Sequence, residues 1–308
     1  MGTLPKIVAA GVASALLVRA ATRRAEHQHP APGRFVTVDG VRLHYVEAGD
    51  GPPLVLLHGL GSMVEDFLLS GLVREASKRY RVIAVDRPGY GRSDRPRGMW
   101  GPLSQARLLR GFLEKLQIHR PILLGHSWGC LVALAYALEY RAAARSLVLA
   151  SGLYFPSARL DAPLLVPPAI PLVGTLMRHT VSPLLGRALW PAWLRLIFSP
   201  AEVPAYFKSS FPAALALRPS QLLAVAQEAF ATFPATRAMA RRYGELDLPV
   251  VLLSGERDRY VYPGKHTQRL RAMLPSAKLF LSPHAGHMVH HADLPLVLQA
   301  IDAAAWPV

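Results

Sequence analysis

A single cysteine, Cys130, stands in the 308 residues, so no internal disulfide can form. That leaves the compartment open. Acidic residues are also scarce: 20 Asp and Glu face 35 Lys and Arg, a formal charge of +15. Such an excess favours anionic surfaces, lipid headgroups or nucleic acid. No Lys/Arg block interleaved with aromatics accompanies it, nor any nucleic-acid-binding signature, which argues against a nucleic-acid module. H-E-x-x-H is absent, so the histidines near the C-terminus are not read as a metal site. What is plentiful is apolar surface, 51% of residues, enough for a sizeable core.

The first 33 residues differ from the rest. Lys6 precedes an apolar run of 12 residues, Ile7 to Val18, and Arg19, Arg23 and Arg24 follow it. This run is shorter than the ~20 residues of an ordinary spanning helix and matches the core of an export signal. Against cleavage, Arg19 sits where small residues belong. An uncleaved anchor, a cleaved signal and an amphipathic leader on a membrane surface remain open, beside an apolar helix packed on the domain. We expect a membrane-associated or exported protein, with a cytoplasmic location as the alternative.

From residue 34 the chain alternates strand-like and helix-like segments. Arg34–Val38 and Arg42–Glu47 read as strands joined at the Asp39-Gly40 turn. The runs PLVLLH (53–58), RVIAVD (81–86), PILLGH (121–126), SLVLAS (146–151), PVVLLS (249–254) and AKLFLS (277–282) suit strands buried on both faces of a parallel sheet. Helical patterns lie near residues 65–79, 103–116, 128–140, 266–274 and 294–304. Between Ser151 and Pro249 no strand-like run occurs, and a stretch that long is not a loop. Residues 152–246 therefore read as a helical cap inserted between two parts of one α/β core, 34–151 and 247–308.

Gly125-His126-Ser127-Trp128-Gly129 is a G-x-S-x-G sequence. Alone it is a weak signal; between a buried strand and a helix it predicts a nucleophile elbow with Ser127 projecting above the sheet. A serine hydroxyl needs a base. His287, in Ala285-Gly286-His287 after the last strand-like run, is the expected one; His284, His290 and His291 are rivals that otherwise read as loop and helix-surface residues. The base needs a carboxylate to orient it. Asp258 follows the preceding strand, with Glu256 as rival and solvated loop charge. For the oxyanion we expect the backbone N–H groups of Leu60, in His58-Gly59-Leu60-Gly61, and of Trp128. His58 reads as a loop brace, and Cys130 as a small buried packing residue.

These elements resemble the α/β-hydrolase superfamily over residues 34–305: HGLG at 58–61, DRPGYGRSD at 86–94, GHSWGC at 125–130, and GERD…AGH between 255 and 287, in the order Ser, Asp, His. The resemblance implies an α/β-hydrolase fold, a mostly parallel sheet with helices on both faces and a helical cap, acting without cofactor or metal. It also implies that Asp86 and Arg87 buttress the sheet. Epoxide hydrolases and haloalkane dehalogenases of the superfamily use an aspartate nucleophile. Ser127 departs from that and points to a serine hydrolase, carboxylesterase-like, working through an acyl-enzyme. A proline iminopeptidase, which the GHSWG form also resembles, and a carbon–carbon bond hydrolase are the alternatives. A non-catalytic receptor or scaffold of this fold is the alternative of another class, disfavoured because all three triad positions are filled. The expected partner is a small apolar acyl substrate, because the cap carries Tyr154, Phe155, Trp190, Trp193, Phe198, Tyr206, Phe207, Phe211, Phe230 and Phe233. The cap's Arg178, Arg187 and Arg195 face a membrane or solvent in this reading.

Overall fold

A computed structural model describes residues 3–98, 101–157 and 161–306. Among the described residues eight strands form one sheet: β1 (Arg34–Val38), β2 (Val41–Ala48), β3 (Pro53–Leu57), β4 (Arg81–Val85), β5 (Ile122–His126), β6 (Ser146–Ala150), β7 (Val250–Gly255) and β8 (Lys278–Ser282). Their order is β1-β2-β4-β3-β5-β6-β7-β8, and β2 alone pairs antiparallel with its neighbours. The apolar runs are continuous because both faces are covered. In β3, Val55 and Leu57 face the helices Pro102–Lys115 and Gly129–Glu139, while Leu54 and Leu56 face Leu72–Ala76 and Leu294–Ala305. Each fully buried Val or Leu contributes about 1.5–3 kcal/mol.

Strand order reverses around β3: the chain leaves it on one side for β4 and returns on the other for β5. The crevice beyond the carboxyl ends of such strands is where ligands bind in open α/β sheets. The loops leaving β3 and β5 are HGLG and GHSWG, so topology alone brings the expected oxyanion loop beside the expected nucleophile.

Between β6 and β7 the described residues contain helices and no strand, the longest being Val181–Phe198 and Pro219–Ala240. The single helix expected over 65–79 is two, Val64–Leu69 and Leu72–Ala76, because Gly71 takes a left-handed φ of 80° at the junction. The leader is one helix, Thr3–Gln28, continuing well past Val18. Val18 and Ala25 on it are buried, Ser14 Oγ donates to the Thr180 carbonyl at 3.1 Å, and Glu26 pairs with Arg218 at 2.8 Å. One face of the leader thus packs on the cap, while Val8, Val12, Leu16 and Leu17 stay exposed. No helix among the described residues is long and apolar enough to cross a membrane.

Candidate active site

The turn after β5 is tight enough to exclude side chains on both flanks of Ser127. A Cβ on Gly125 would lie 2.6 Å from the Cys130 backbone, and one on Gly129 would lie 2.1 Å from the Leu57 carbonyl oxygen. Ser127 itself is held at φ 53°, a left-handed conformation that costs a side-chain-bearing residue about 1–3 kcal/mol. Its N–H donates to the Ala150 carbonyl at 2.8 Å, and its own carbonyl accepts from Cys130 N–H at 3.1 Å. The strain is retained because it lifts Oγ off the sheet toward the loops. Cys130 is buried, and burial pushes its thiol up to about 12; it is a packing residue.

Ser127, Asp258 and His287 come together. Ser127 Oγ lies 3.0 Å from His287 Nε2, and His287 Nδ1 lies 2.8 Å from Asp258 Oδ2. The other carboxylate oxygen accepts from the N–H groups of Tyr260 (2.9 Å) and Val261 (2.8 Å), which fixes its plane. Gly286 lets the cap approach: a Cβ there would meet the Ser199 carbonyl at 1.8 Å. The rivals His284 and Glu256 are exposed and stand outside this chain of contacts.

Two histidine expectations need correction. His290 and His291 are not surface residues: both donate to the buried carboxylate oxygen Asp66 Oδ1, at 3.1 and 2.8 Å, and Ser62 Oγ donates to Oδ2 at 2.9 Å. Burial alone would raise the Asp66 carboxyl, but His290 and His291 outweigh it and hold it well below the usual carboxylate range. His126 adjoins this group, its Nε2 3.0 Å from the His287 carbonyl, and burial keeps it neutral far below the ordinary histidine range. Asp66, His126 and His290 could each offer a donor atom within 4.8 Å of one another, yet the carboxylate oxygens are already bonded by His290, His291 and Ser62. No sequence signal joins residues 66 and 290, so the network was invisible there.

The loop expected to hold the oxyanion lies against Ser127, since a Cβ on Gly59 would sit 3.2 Å from Ser127 Cβ. Among the described residues neither Leu60 N–H nor Trp128 N–H has an acceptor, and both residues line the chamber holding Ser127. His58 is a brace: its Nδ1 bonds the Gly59 carbonyl at 2.8 Å, and its Nε2 accepts from Arg87 N–H at 3.0 Å. Burial, reinforced by the Arg87 charge, pushes its pKa down to about 3. Asp86 buttresses as expected, accepting from Val64 N–H, Arg92 N–H and His44 Nδ1. Arg87 does something else. Its guanidinium donates to the carbonyls of His58 (2.8 Å) and Gly59 (3.1 Å) and pairs with Glu228 of the cap at 2.9 Å.

Above Ser127 is a narrow chamber of about 30 Å³. Leu60, Gly61, Trp193 and Tyr260 border both it and a second cavity of about 230 Å³ under the cap. Among the described residues neither wall contains a lysine or arginine. Of the cap aromatics, Trp193, Phe207 and Phe211 line the chamber and Trp190 the larger cavity. Tyr154 and Phe155 do not; they belong to the core beneath the elbow helix. Arg178 is also no outward charge, since it is buried on the Pro168 carbonyl, whereas Arg187 and Arg195 are exposed.

With this geometry in hand the class is plain: residues 52–293 match the family described as the alpha/beta hydrolase fold, and the chain belongs to that family of hydrolases. It is 30% identical over 271 residues to the 2-hydroxy-6-oxo-2,4-heptadienoate hydrolase of Pseudomonas putida, covering 83% of this chain and 90% of that one. A haloalkane dehalogenase of Mycobacterium marinum is 30% identical over 262 residues, 82% of this chain and 83% of that one. Among solved structures, a membrane phospholipase A superposes with TM-score 0.67 at 24% identity, over 98% of this chain and 96% of that one.

Proposed function

We propose that the protein is a serine esterase for neutral substrates with an extended apolar acyl chain, working at a membrane surface. The observation that carries the reading is the unbroken contact chain from Ser127 Oγ through His287 to Asp258, with Ser127 held in a strained turn. His287 takes the hydroxyl proton as Oγ attacks the acyl carbon, and the Leu60 and Trp128 N–H groups stabilise the oxyanion. The proton then passes to the departing alcohol. Water, deprotonated by the same imidazole, releases the acid and restores Ser127.

Two related chemistries fit less well. Dehalogenation through a serine would leave an alkyl ether, which offers water no carbonyl to attack. The Pseudomonas relative is named for a carboxylate substrate, and among the described residues neither cavity supplies a lysine or arginine to receive one. An apolar chain suits the larger cavity instead. Its wall residues Val181, Leu185 and Leu189 are also exposed, so the cavity opens onto apolar surface. Leu172, Val173, Leu176 and Leu184 are exposed near them, and the leader, with its own exposed face, packs on the helix Val173–His179. Together with the charge of +15, this suits an anionic lipid surface.

The test is fluorophosphonate labelling followed by a panel of neutral and carboxylate-bearing substrates. Labelling confined to Ser127, with hydrolysis of neutral esters, is expected. Labelling elsewhere, or turnover only of acids cleaved at a carbon–carbon bond, refutes the reading.

A further inference from the structure

The peptide unit joining Gly59 to Leu60 carries the Gly59 carbonyl on one side and the Leu60 N–H on the other. Its oxygen is bonded by Arg87 Nη2 at 3.1 Å and by His58 Nδ1 at 2.8 Å. A trans peptide whose oxygen is held this way turns its N–H in the opposite direction. Donors on the carbonyl also polarise the unit and make its N–H a better donor.

Arg87 is held in turn from the cap. Nη1 reaches both Glu228 carboxylate oxygens, at 2.9 and 3.0 Å, and Gln105 Nε2 and Tyr90 OH donate to the same carboxylate at 2.6 and 2.7 Å. Arg87 and Glu228 are fully buried. The other oxyanion donor has its own strut. Trp128 Nε1 donates to Thr232 Oγ1 at 3.0 Å, and the Arg87 guanidinium lies 4.6 Å from the Trp128 ring. Glu228 and Thr232 are one turn apart on the helix Pro219–Ala240, and Thr232 Oγ1 donates to the Glu228 carbonyl at 2.6 Å.

We infer that Glu228, through Arg87, and Thr232, through Trp128, are positioning residues that align the two N–H groups of the oxyanion hole, making one cap helix part of the catalytic apparatus. Neither touches Ser127 or the substrate chamber. The cap helix therefore does more than cover the site: a helix that shifts carries both donors off their target. This inference rests on the serine-esterase reading.

The test compares Glu228→Gln, Thr232→Val and Thr232→Ser with the wild type on a soluble ester, and measures affinity for butylboronic acid, which forms a tetrahedral anion on the serine. Removing an oxyanion donor outright costs about 100- to 1,000-fold in kcat; a misaligned donor in Glu228→Gln should cost roughly 10- to 100-fold, with KM within about threefold. Boronate affinity should fall by the same factor as kcat/KM, while the pH profile keeps its midpoint because His287 and Asp258 are untouched. Thr232→Val should lose kcat, and Thr232→Ser, which keeps the hydroxyl, should recover it. A folded Glu228→Gln with wild-type kcat, or a loss confined to KM with boronate affinity intact, overturns the inference. If Glu228→Gln does not fold, the threonine pair decides: Thr232→Val with wild-type kcat and boronate affinity overturns it equally. A wild type that neither labels at Ser127 nor hydrolyses esters overturns the underlying reading, whereas a labelled wild type with unaffected variants overturns only the positioning role.

Discussion

Replacing Leu222 with tryptophan should shorten the acyl chain the enzyme prefers. Leu222 lines the larger cavity, whose volume is about 230 Å³. A cavity of ~150 Å³ holds benzene, or roughly 25 Å³ per carbon, so this one takes a chain of about nine carbons beyond the carbonyl. Tryptophan has six more heavy atoms than leucine and fills ~150 Å³ on the same scale, leaving room for about three carbons. Each buried methylene is worth ~0.8 kcal/mol, close to fourfold in rate constant. On p-nitrophenyl esters the wild-type kcat/KM should climb several-fold per methylene to about the decanoate and fall beyond it. Leu222→Trp should level off near butyrate. Six methylenes lost correspond to ~5 kcal/mol as an upper bound; chains that find another path reduce this, and a loss of at least ~100-fold on decanoate is expected. Butyrate should be turned over within about twofold of wild type. A folded variant with the wild-type length profile would place the acyl chain elsewhere and refute the reasoning.

Three other outcomes are expected. Ser127→Ala and His287→Ala should each lower kcat by several orders of magnitude without unfolding the protein, with Asp258→Asn somewhat milder; full activity in His287→Ala would remove it as base, as steady-state assays will tell. Acid should weaken the fold: burial pushes His58 down to about 3 and His266, whose Nδ1 accepts from the Tyr154 N–H at 3.2 Å, down to about 4, below the 6.5 of an exposed imidazole, so from pH 6.5 downward the unfolded chain binds protons that the native one refuses. Each should remove roughly 2 kcal/mol of stability between pH 6.5 and 5, and a urea midpoint that stays flat over that range would contradict it. Removing residues 1–29 should abolish co-sedimentation with anionic vesicles while Ser127 remains labelled; a truncated protein that still binds them would assign the membrane contact to the cap alone.

How far the sequence could be read depended on whether the signal was local. The strands were legible because continuous Val/Leu runs ended in glycine or polar residues, and the elbow because two glycines flank one serine between a strand and a helix. His287 stood out from three neighbouring histidines by its place after β8 and beside Gly286. Contacts between distant segments were not legible. Arg87 and Glu228 are separated by 141 positions, and Asp66 and His290 by 224; nothing near either partner names the other. The cap's aromatics could not be sorted either, because residues that line a cavity and residues that fill a core look alike in sequence. Tyr154 and Phe155 proved to be core, and Trp193 and Phe207 cavity wall.

The lone cysteine gives the elbow a built-in reporter. Cys130 Sγ donates to the Gly125 carbonyl at 3.1 Å, and its thiol is shielded from solvent two helical positions beyond the strained turn. Thiol reagents react with the thiolate, so modification must wait for this segment to open. Under those conditions the labelling rate clocks the opening of the elbow directly, with no second thiol in the chain to obscure it. The same shielding leaves no competing thiol at the surface, so a cysteine engineered onto the leader or the cap could carry a fluorophore or spin label with the native thiol left in place.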